Sequence, residues 1–211
     1  MDVLCRRAAV SAGGVTMLAP LDADLPAGLL SAVSGPNGSG KSTLLSVIAG
    51  RCPLSSGLCL VDGRPPDEAS GRFREAVASF IDTPPLARDL TVREQLAVVG
   101  ASWWADRDPW AGADDQLIAL EAAHLSGRFI HELSAGELQL VMLALTCHRP
   151  SSLLLLDEPE RHLDEERITQ LGALLKHRAQ AGTTVVVATH DHRLLEQADR
   201  RICLAAADRT P

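Results

Sequence analysis

The stretch Gly35-Pro36-Asn37-Gly38-Ser39-Gly40-Lys41-Ser42 decides the fold of this chain. It lies between an apolar run at residues 29–34, which predicts a buried strand, and residues 42–50, which predict a helix. Glycines let the backbone wrap closely around phosphate oxygens, and the helix N-terminus adds a partial positive charge. The stretch therefore predicts a phosphate-binding loop in which Lys41 reaches the β- and γ-phosphates and Ser42 binds Mg²⁺.

The composition fits one α/β domain and argues against several other classes of protein. Hydrophobic residues make up 46% of the 211 residues and aromatic residues only 3%, so aliphatic side chains must build the core. A net charge of -7 makes a nucleic-acid partner unexpected, because phosphate backbones attract basic surfaces. No apolar run approaches the roughly 18 residues of a membrane span, and no secretory signal precedes the fold. We therefore expect a chain that is soluble on its own and reaches a membrane only through a partner.

The cysteines and the C-terminus add two further expectations. Five scattered cysteines, none of them in a C-x-x-C pair, predict no zinc site and a reducing, cytoplasmic setting. The chain ends soon after its last predicted strand, so we expect no regulatory C-terminal domain.

Strands and helices are predicted to alternate along most of the chain, which is typical of a mainly parallel sheet. Residues 91–133 differ, because they carry helical patterns and no convincing strand, and we interpret them as a small helical insertion. Its tryptophans, Trp103, Trp104 and Trp110, are interpreted as core or partner-facing side chains rather than cofactor ligands. Strands are predicted at 29–34, 57–63, 77–81, 152–156, 183–188 and 201–206, and helices at 42–50, 134–148, 164–181 and 191–198.

A pair of carboxylates, Asp157 and Glu158, follows the apolar strand at residues 152–156. Ligands of open α/β sheets bind at the carboxyl ends of the strands. Asp157 is predicted to hold Mg²⁺ directly or through water, and Glu158 to orient and deprotonate an attacking water. By itself such a pair is equally consistent with solvated acids at a strand end. The phosphate loop upstream favours the catalytic interpretation.

The segment Leu133-Ser134-Ala135-Gly136-Glu137-Leu138-Gln139 resembles the signature motif of ABC ATPases, and it precedes the Asp-Glu-Pro strand as in that family. Four other segments match the family in the same order along the chain, so the resemblance covers nearly all of it. They are Pro53–Gly63 (the antiparallel β-element), Leu90–Leu96 (the start of the helical subdomain), Leu163-Asp164 (the D-loop) and Thr189-His190-Asp191 (the switch histidine).

The resemblance implies an α/β fold, a P-loop NTPase core of the ABC type with a mainly parallel sheet, an antiparallel β-element and a small helical subdomain. Residues 1–90 and 134–211 would form the RecA-like core with the β-element, and about 91–133 the helical subdomain. It also implies a head-to-tail dimer around ATP and Mg²⁺. The nucleotide would be held by Gly35, Pro36, Asn37, Gly38, Ser39, Gly40, Lys41, Ser42 and Thr43 of one subunit.

The opposite subunit would complete the site in this family pattern. Its Ser134 and Gly136 would cover the γ-phosphate, and Asp164 would lie across the dimer interface. Glu158 would act as general base and His190 would contact the γ-phosphate, with Lys41 assisting the chemistry. Taken alone, Ser134 is better explained as a helix cap, and Asp164 as an ordinary charge at a helix N-terminus.

The sequence departs from the family pattern at two places beside the nucleotide. The position of the family's Q-loop glutamine is Asp82, which still offers an oxygen to Mg²⁺ but adds negative charge near the phosphates. Residues 5–16 contain no aromatic side chain that could stack on adenine. We therefore predict weak discrimination between bases, with Arg6 or Arg7 as the alternative stacking group.

The resemblance implies the ATP-binding and ATP-hydrolysing subunit of an ABC transporter, driving a separate transmembrane permease from the cytoplasmic face of the cell membrane. An alternative is a non-transport ABC ATPase that acts as a nucleotide-dependent switch in a soluble complex. A third is a degenerate subunit that binds ATP and hydrolyses it poorly. Cargo and direction of transport reside mostly in the permease, and the choice between homodimer and heterodimer stays open.

Overall fold

The computed structural model describes residues 1–104 and 108–205, which form two β-sheets surrounded by helices. The strands are β1 (Val3–Ala12), β2 (Val15–Leu25), β3 (Leu30–Ser34), β4 (Ser56–Val61), β5 (Val77–Phe80), β6 (Leu153–Asp157), β7 (Thr184–Ala188) and β8 (Arg200–Cys203). One sheet is antiparallel with the order β2-β1-β4, and the other is parallel with the order β5-β6-β7-β3-β8. The predicted parallel sheet is therefore present.

The helices follow the strands of the parallel sheet or fill the predicted insertion. They are α1 (Lys41–Ile48), α2 (Gly71–Ala76), α3 (Val92–Trp103), α4 (Ala113–Ala119), α5 (Ala135–His148), α6 (Glu165–Gln180) and α7 (His192–Gln197). Residues 91–133 hold α3, α4 and two short 3₁₀ turns, with 105–107 outside the described residues. The strand predicted at 201–206 ends at Cys203, and residue 206 also lies outside the described residues.

The central strands of the parallel sheet are mostly apolar because both of their faces are covered. In β6, Leu154 and Leu156 belong to one buried cluster and Leu153 and Leu155 to the other. The first cluster includes side chains from α3, α4, α5 and α6, and the second includes α1 and the antiparallel sheet. The sheet is thus a layer between two cores, which fixes the positions of its strand ends.

The helical insertion packs on α5, the helix that begins with the predicted signature motif. Leu96 of α3, Leu117 of α4 and Leu143 of α5 are fully buried in the same cluster. From Gln139 to His148, every residue of α5 is buried. The start of α5 is therefore held against the sheet by contacts along the rest of its length.

The prediction missed the β1–β2 hairpin, because it assigned the antiparallel element only to residues 53–63. Charged and bulge-forming residues interrupt the alternation of polar and apolar side chains that would have indicated a strand. Register shifts break the pairing of β1 with β2 between Cys5 and Ala8 and again before Ser11. The short helix α2 was missed as well, since it buries no residue of its own.

Candidate functional site

Three neighbouring strands of the parallel sheet end at one edge, and each is followed by a predicted site segment. The order β6-β7-β3 places these strands side by side. The phosphate loop follows β3, Asp157 ends β6 with Glu158 directly after it, and His190 follows β7. The topology therefore brings together segments that are more than 100 residues apart in sequence, at the edge where α/β sheets bind ligands.

The phosphate loop is held by contacts with its own carbonyl groups and with β2. The Nζ of Lys41 donates hydrogen bonds to the carbonyl oxygens of Gly35 at 2.9 Å and Pro36 at 3.3 Å, and the residue is 6% exposed. Gly40 has a φ of +99°, and a Cβ there would lie 2.5 Å from the carbonyl oxygen of Met17. Gly40 supplies no side-chain cap to α1, and a helix start that lacks such a cap is suited to binding an anion through its first amides.

The carboxyl group of Asp157 has an oxygen without a protein partner. Its Oδ1 is buried and accepts no hydrogen bond from the described residues. Burial raises the pKa of Asp157, the nearby hydroxyl of Ser42 lowers it, and the charge of Glu158 raises it again. A buried acid beside a hydroxyl is an oxygen donor set of the kind that Mg²⁺ prefers, and a cation would offset the cost of burying the charge. Ser42 and Asp157 therefore fit the predicted metal site.

Glu158 is held in a strained backbone conformation that directs its side chain into the site. Its φ is +45°, and its backbone amide donates a hydrogen bond to the carbonyl of Ala188 on β7 at 2.8 Å. Its carboxylate lies 3.9 Å from Nδ1 of His190 and 3.7 Å from Nε of Arg161, and 28% of the side chain is exposed. Glu158 is therefore reachable by water, as a general base must be.

His190 projects from the segment after β7, with 66% of its side chain exposed. The acid beneath it, Glu160, is not among the site residues predicted from the sequence. Burial raises the pKa of Glu160, while a hydrogen bond from the Thr189 hydroxyl lowers it. No pattern in the sequence separates Glu160 from the solvated acids around it, and only its burial in the structure does so.

The predicted signature segment starts α5 in the expected way. Ser134 caps the helix: its Oγ accepts from the amide of Glu137 at 3.4 Å, and its own amide donates to the Glu137 carboxylate at 2.8 Å. A Cβ on Gly136 would lie 2.7 Å from the carbonyl oxygen of His162, so only glycine fits against the loop after β6. The buried Gln139 donates to the carbonyl of Pro159 at 3.0 Å and ties α5 to the same loop.

Asp164 starts α6, where its carboxylate accepts the amide of Arg167 at 2.9 Å and remains 65% exposed. It is thus an N-cap with an exposed carboxylate. Its predicted position at a dimer interface, like the predicted covering role of Ser134 and Gly136, concerns a second subunit and stays a prediction. Within the described chain, Ser134 and Gly136 do not line the cavity beside the phosphate loop.

A cavity of about 540 Å³ lies beside the phosphate loop. At its outer end, Val15 is 50% and Met17 44% exposed, so an aliphatic surface takes the place of an aromatic ring. Of the predicted alternatives, Arg6 donates instead to the carbonyls of Cys5 and Ala23, and neither Arg6 nor Arg7 lines the cavity. The residues around the cavity are Ala12, Val15, Thr16, Met17, Asn37, Gly38, Gly40, Lys41, Ser42, Thr43 and Glu158.

Asp82 lies on the other side of the two site carboxylates. It lines a cavity of about 270 Å³ together with Asp157 and Glu158. Its side chain is 84% exposed, and the Oδ2 atom is 3.7 Å from Nη1 of Arg51. The predicted role of Asp82 as a metal ligand stays a prediction.

Comparisons with known proteins agree with this geometry. The family model described as ABC transporter matches residues 18–161. The chain is 34% identical over 213 aligned residues to the hemin import ATP-binding protein HmuV of Streptomyces coelicolor, with 95% of this chain and 73% of that protein covered. It is 33% identical to the putative hemin import ATP-binding protein HrtA of Staphylococcus haemolyticus, with 81% and 80% covered.

A solved structure of a dimeric ATP-binding cassette in a post-hydrolysis state with ADP and Pi aligns with a TM-score of 0.85 at 22% identity, over 97% of this chain and 95% of that one. This likeness confirms the predicted fold class. Among the described helices, none is long and apolar enough to cross a membrane. The matched family model and the identity to its relatives show that the chain belongs to the ABC transporter family.

Proposed function

We propose that the chain is the ATP-binding and ATP-hydrolysing subunit of an ABC transporter, with ATP and Mg²⁺ bound at the shared edge of β3, β6 and β7. The observation that carries this proposal is the convergence of Lys41, the Asp157–Glu158 pair and His190 at that edge. The relatives named as ATP-binding proteins of transporters support it.

The phosphate loop binds the triphosphate in this proposal. The ammonium of Lys41 now donates to two loop carbonyls, and it would exchange them for β- and γ-phosphate oxygens, which are stronger acceptors because they are charged. The outward-facing amides at the start of α1 add to the same attraction. Positioning and charge stabilisation are the main contributions of a protein to phosphoryl transfer.

Ser42 and Asp157 would hold the Mg²⁺, which supplies positive charge to the phosphate oxygens when it is bound. The Ser42 hydroxyl and the unpartnered Oδ1 of Asp157 offer the oxygens that such an ion needs. Asp82 remains a candidate for a further oxygen ligand, since it lines the cavity on the other side of Asp157.

Glu158 would take a proton from the attacking water onto its carboxylate, and His190 would contact the γ-phosphate. Glu158 lines the cavity beside the phosphate loop, which supports a position of its carboxylate near the attacking water. Its strained backbone, bonded to Ala188, limits the directions in which the side chain can point.

A second subunit in head-to-tail orientation would complete the site. Ser134 and Gly136 lie away from the nucleotide cavity of their own chain, at the exposed start of α5. The same position suits them to cover the γ-phosphate held by a partner, with the helix N-terminus facing the anion. Asp164 keeps an exposed carboxylate that is available to the same interface.

A transmembrane permease would dock in an apolar groove of about 280 Å³ between the segment after β5, α3 and α5. Val98 on its rim is 54% exposed. The groove also contains Arg149, whose Nε is buried without a partner among the described residues. A permease segment with an apolar face would fill the groove, and one carbonyl or carboxylate group on it would accept a hydrogen bond from the Nε of Arg149. Such docking would place this chain on the cytoplasmic side of the membrane.

The test of hydrolysis compares Glu158→Gln with Glu166→Gln, which changes an exposed acid on α6 that pairs with no other described residue. We expect phosphate release from Mg-ATP to fall by roughly 10²- to 10⁴-fold in Glu158→Gln, because the general base is lost. Glu158→Gln should also trap an ATP-bound dimer on gel filtration, whereas Glu166→Gln should match the wild type. Unchanged phosphate release, or a persistent monomer with ATP, would contradict the proposal.

The test of permease docking uses Val98→Asp, which places a charge on an exposed position without disturbing the core. We expect the variant to keep the ATP hydrolysis of the isolated chain and to lose co-purification with the permease. Co-purification with a soluble protein in place of a permease would favour the switch alternative. Because two relatives are named for hemin import, hemin is the first cargo to test with the captured permease.

A further inference from the structure

The loop between β6 and α6 buries an acid that the proposed hydrolysis does not use. Glu160 follows Pro159 directly and is only 5% exposed. Its Oε2 atom has no hydrogen-bond partner among the described residues. A buried carboxylate is costly unless its oxygens are paired, so an unpaired oxygen indicates a missing or displaced partner.

The other oxygen of Glu160 contacts one segment only, the residues that follow β7. Its Oε1 accepts a hydrogen bond from the hydroxyl of Thr189 at 2.5 Å and from the backbone amide of His190 at 3.4 Å. The same oxygen lies 3.7 Å from the ring Nδ1 of His190. The hydroxyl of Thr189 in turn accepts the amide of Asp191 at 3.0 Å. Glu160 thus contacts the backbone and the ring of His190 together.

We propose that Glu160 is a positioning residue that holds the imidazole of His190 through Nδ1 and leaves Nε2 to face the γ-phosphate of ATP. The inference rests on the proposed function, in which His190 contacts that phosphate. The 3.7 Å distance joins Nδ1 to Oε1, and a rotation of the ring that carries Nδ1–H over to Oε2 of the same carboxylate gives that second oxygen its missing donor. The hydrogen bond made by one ring nitrogen then fixes the tautomer, and so the role of the other nitrogen.

Burial decides which of two acids is the lasting partner of His190. Glu158 also lies 3.9 Å from Nδ1, but it is 28% exposed and lines the nucleotide cavity. Glu160 is buried and is fixed by Thr189, so it cannot reach water. A general base must accept a proton from water, whereas an orienting group must stay in place. Glu160 therefore orients the ring, and Glu158 remains available to the attacking water.

A purely structural role of Glu160 would use only its bonds to Thr189 and to the His190 amide. Glu160→Gln separates the two roles, because the amide oxygen of glutamine still accepts both of these hydrogen bonds. The amide nitrogen would replace the unpartnered Oε2 and present a donor to the ring. The variant has the same size and removes a buried charge, so it is expected to fold.

The experiment measures the tautomer of His190 in the nucleotide-free full-length chain by nitrogen NMR of ¹⁵N-histidine-labelled protein, with His190→Gln assigning the signal. We expect the Nδ1–H tautomer in the wild type and the Nε2–H tautomer in Glu160→Gln. The kcat for ATP hydrolysis should fall by roughly 10-fold or more in the variant, as for other partners that orient a histidine, with KM for ATP within about twofold. Glu166→Gln should leave the tautomer, kcat and KM unchanged.

Two outcomes would overturn the inference. The first is an Nε2–H tautomer of His190 in the wild type. The second is the same tautomer in Glu160→Gln as in the wild type. A fall in activity that accompanies a lower melting temperature would then reflect a purely structural role. The tautomer measurement needs no ATP, so it is independent of the proposed function. The tautomer could differ between the wild type and Glu160→Gln while the wild-type chain hydrolyses no ATP. That result would refute the proposed function and still support the Glu160–His190 contact.

Discussion

The two ends of the nucleotide cavity are built in different ways. At the phosphate end, Lys41 is 6% exposed and bonded to loop carbonyls, and Gly40 is fitted against the backbone of β2. At the base end, Val15 and Met17 are 50% and 44% exposed, beside the turn of the β1–β2 hairpin. The phosphate end is therefore fixed by backbone contacts and charge, whereas the base end offers only exposed aliphatic surface.

The difference indicates where nucleotide affinity originates. Hydrogen bonds between charged groups are directional and about twice as strong as neutral ones. Aliphatic contacts with a base give little selectivity, since every base presents a flat face of similar polarity. We expect this chain to recognise a triphosphate strongly and its base weakly, and four measurements test that contrast.

The largest effect is expected from Lys41→Ala. Removing the ammonium should lower the turnover of Mg-ATP by roughly 10²- to 10³-fold, because a preorganised charge facing the phosphates is lost. Lys176→Ala removes the only other lysine of the chain, which pairs with Asp199 away from the site, and should keep wild-type turnover. Turnover of Lys41→Ala within threefold of the control would show that the phosphate end is not the main determinant.

Gly40→Ala tests whether backbone contacts fix the phosphate end. The added Cβ would lie 2.5 Å from the carbonyl oxygen of Met17, at a φ of +99°. Strain and overpacking together should lower the free energy of unfolding by about 2 to 4 kcal/mol, measured by urea denaturation. Gly63→Ala is the control, since it has a φ of +71° with no atom within 4 Å of the added Cβ. Equal losses in the two variants would mean that only the φ angle, and not the contact with β2, requires glycine.

Asp82→Gln tests the charge on the far side of the site carboxylates. The substitution removes a negative charge that lines the cavity of Asp157 and Glu158. We expect the Mg²⁺ concentration for half-maximal hydrolysis and the turnover to change by about two- to fivefold, because the group is exposed and largely screened. Asp89→Asn, on the same segment, is the control. Unchanged Mg²⁺ dependence and turnover would remove Asp82 from the metal site.

The smallest effect is expected at the base end. Affinities for ATP and GTP, measured by calorimetry, should lie within about threefold of each other, because the described cavity lining contains no aromatic side chain that could stack on the base. Met17→Phe should tighten ATP binding by roughly three- to tenfold, the usual contribution of an aromatic contact. Ile118→Phe, which adds an aromatic ring at a 60% exposed position on α4 outside the cavity lining, is the control. A strong preference of the wild type for ATP would contradict the proposed contrast between the two ends.

The parts of the fold that the sequence predicted share a physical cause. Strands buried on both faces are mostly apolar, so β3, β5, β6 and β7 were placed within one residue at each end. The long helices follow N-caps such as Ser134 and Asp164, whose side chains accept backbone amides as expected. The β1–β2 hairpin was missed because bulges and exposed polar residues interrupt its alternation.

The sequence by itself determined the phosphate loop, the carboxylate pair and the order of the family motifs, because each depends on residue types at short spacing. Only the tertiary structure decided which of these segments meet, since the strand order β6-β7-β3 brings together residues far apart in the chain. The tertiary structure alone also distinguished Glu160, which is buried against His190, from the exposed acids around it. Burial and contact with His190 depend on packing between two loops, and no local pattern encodes that packing.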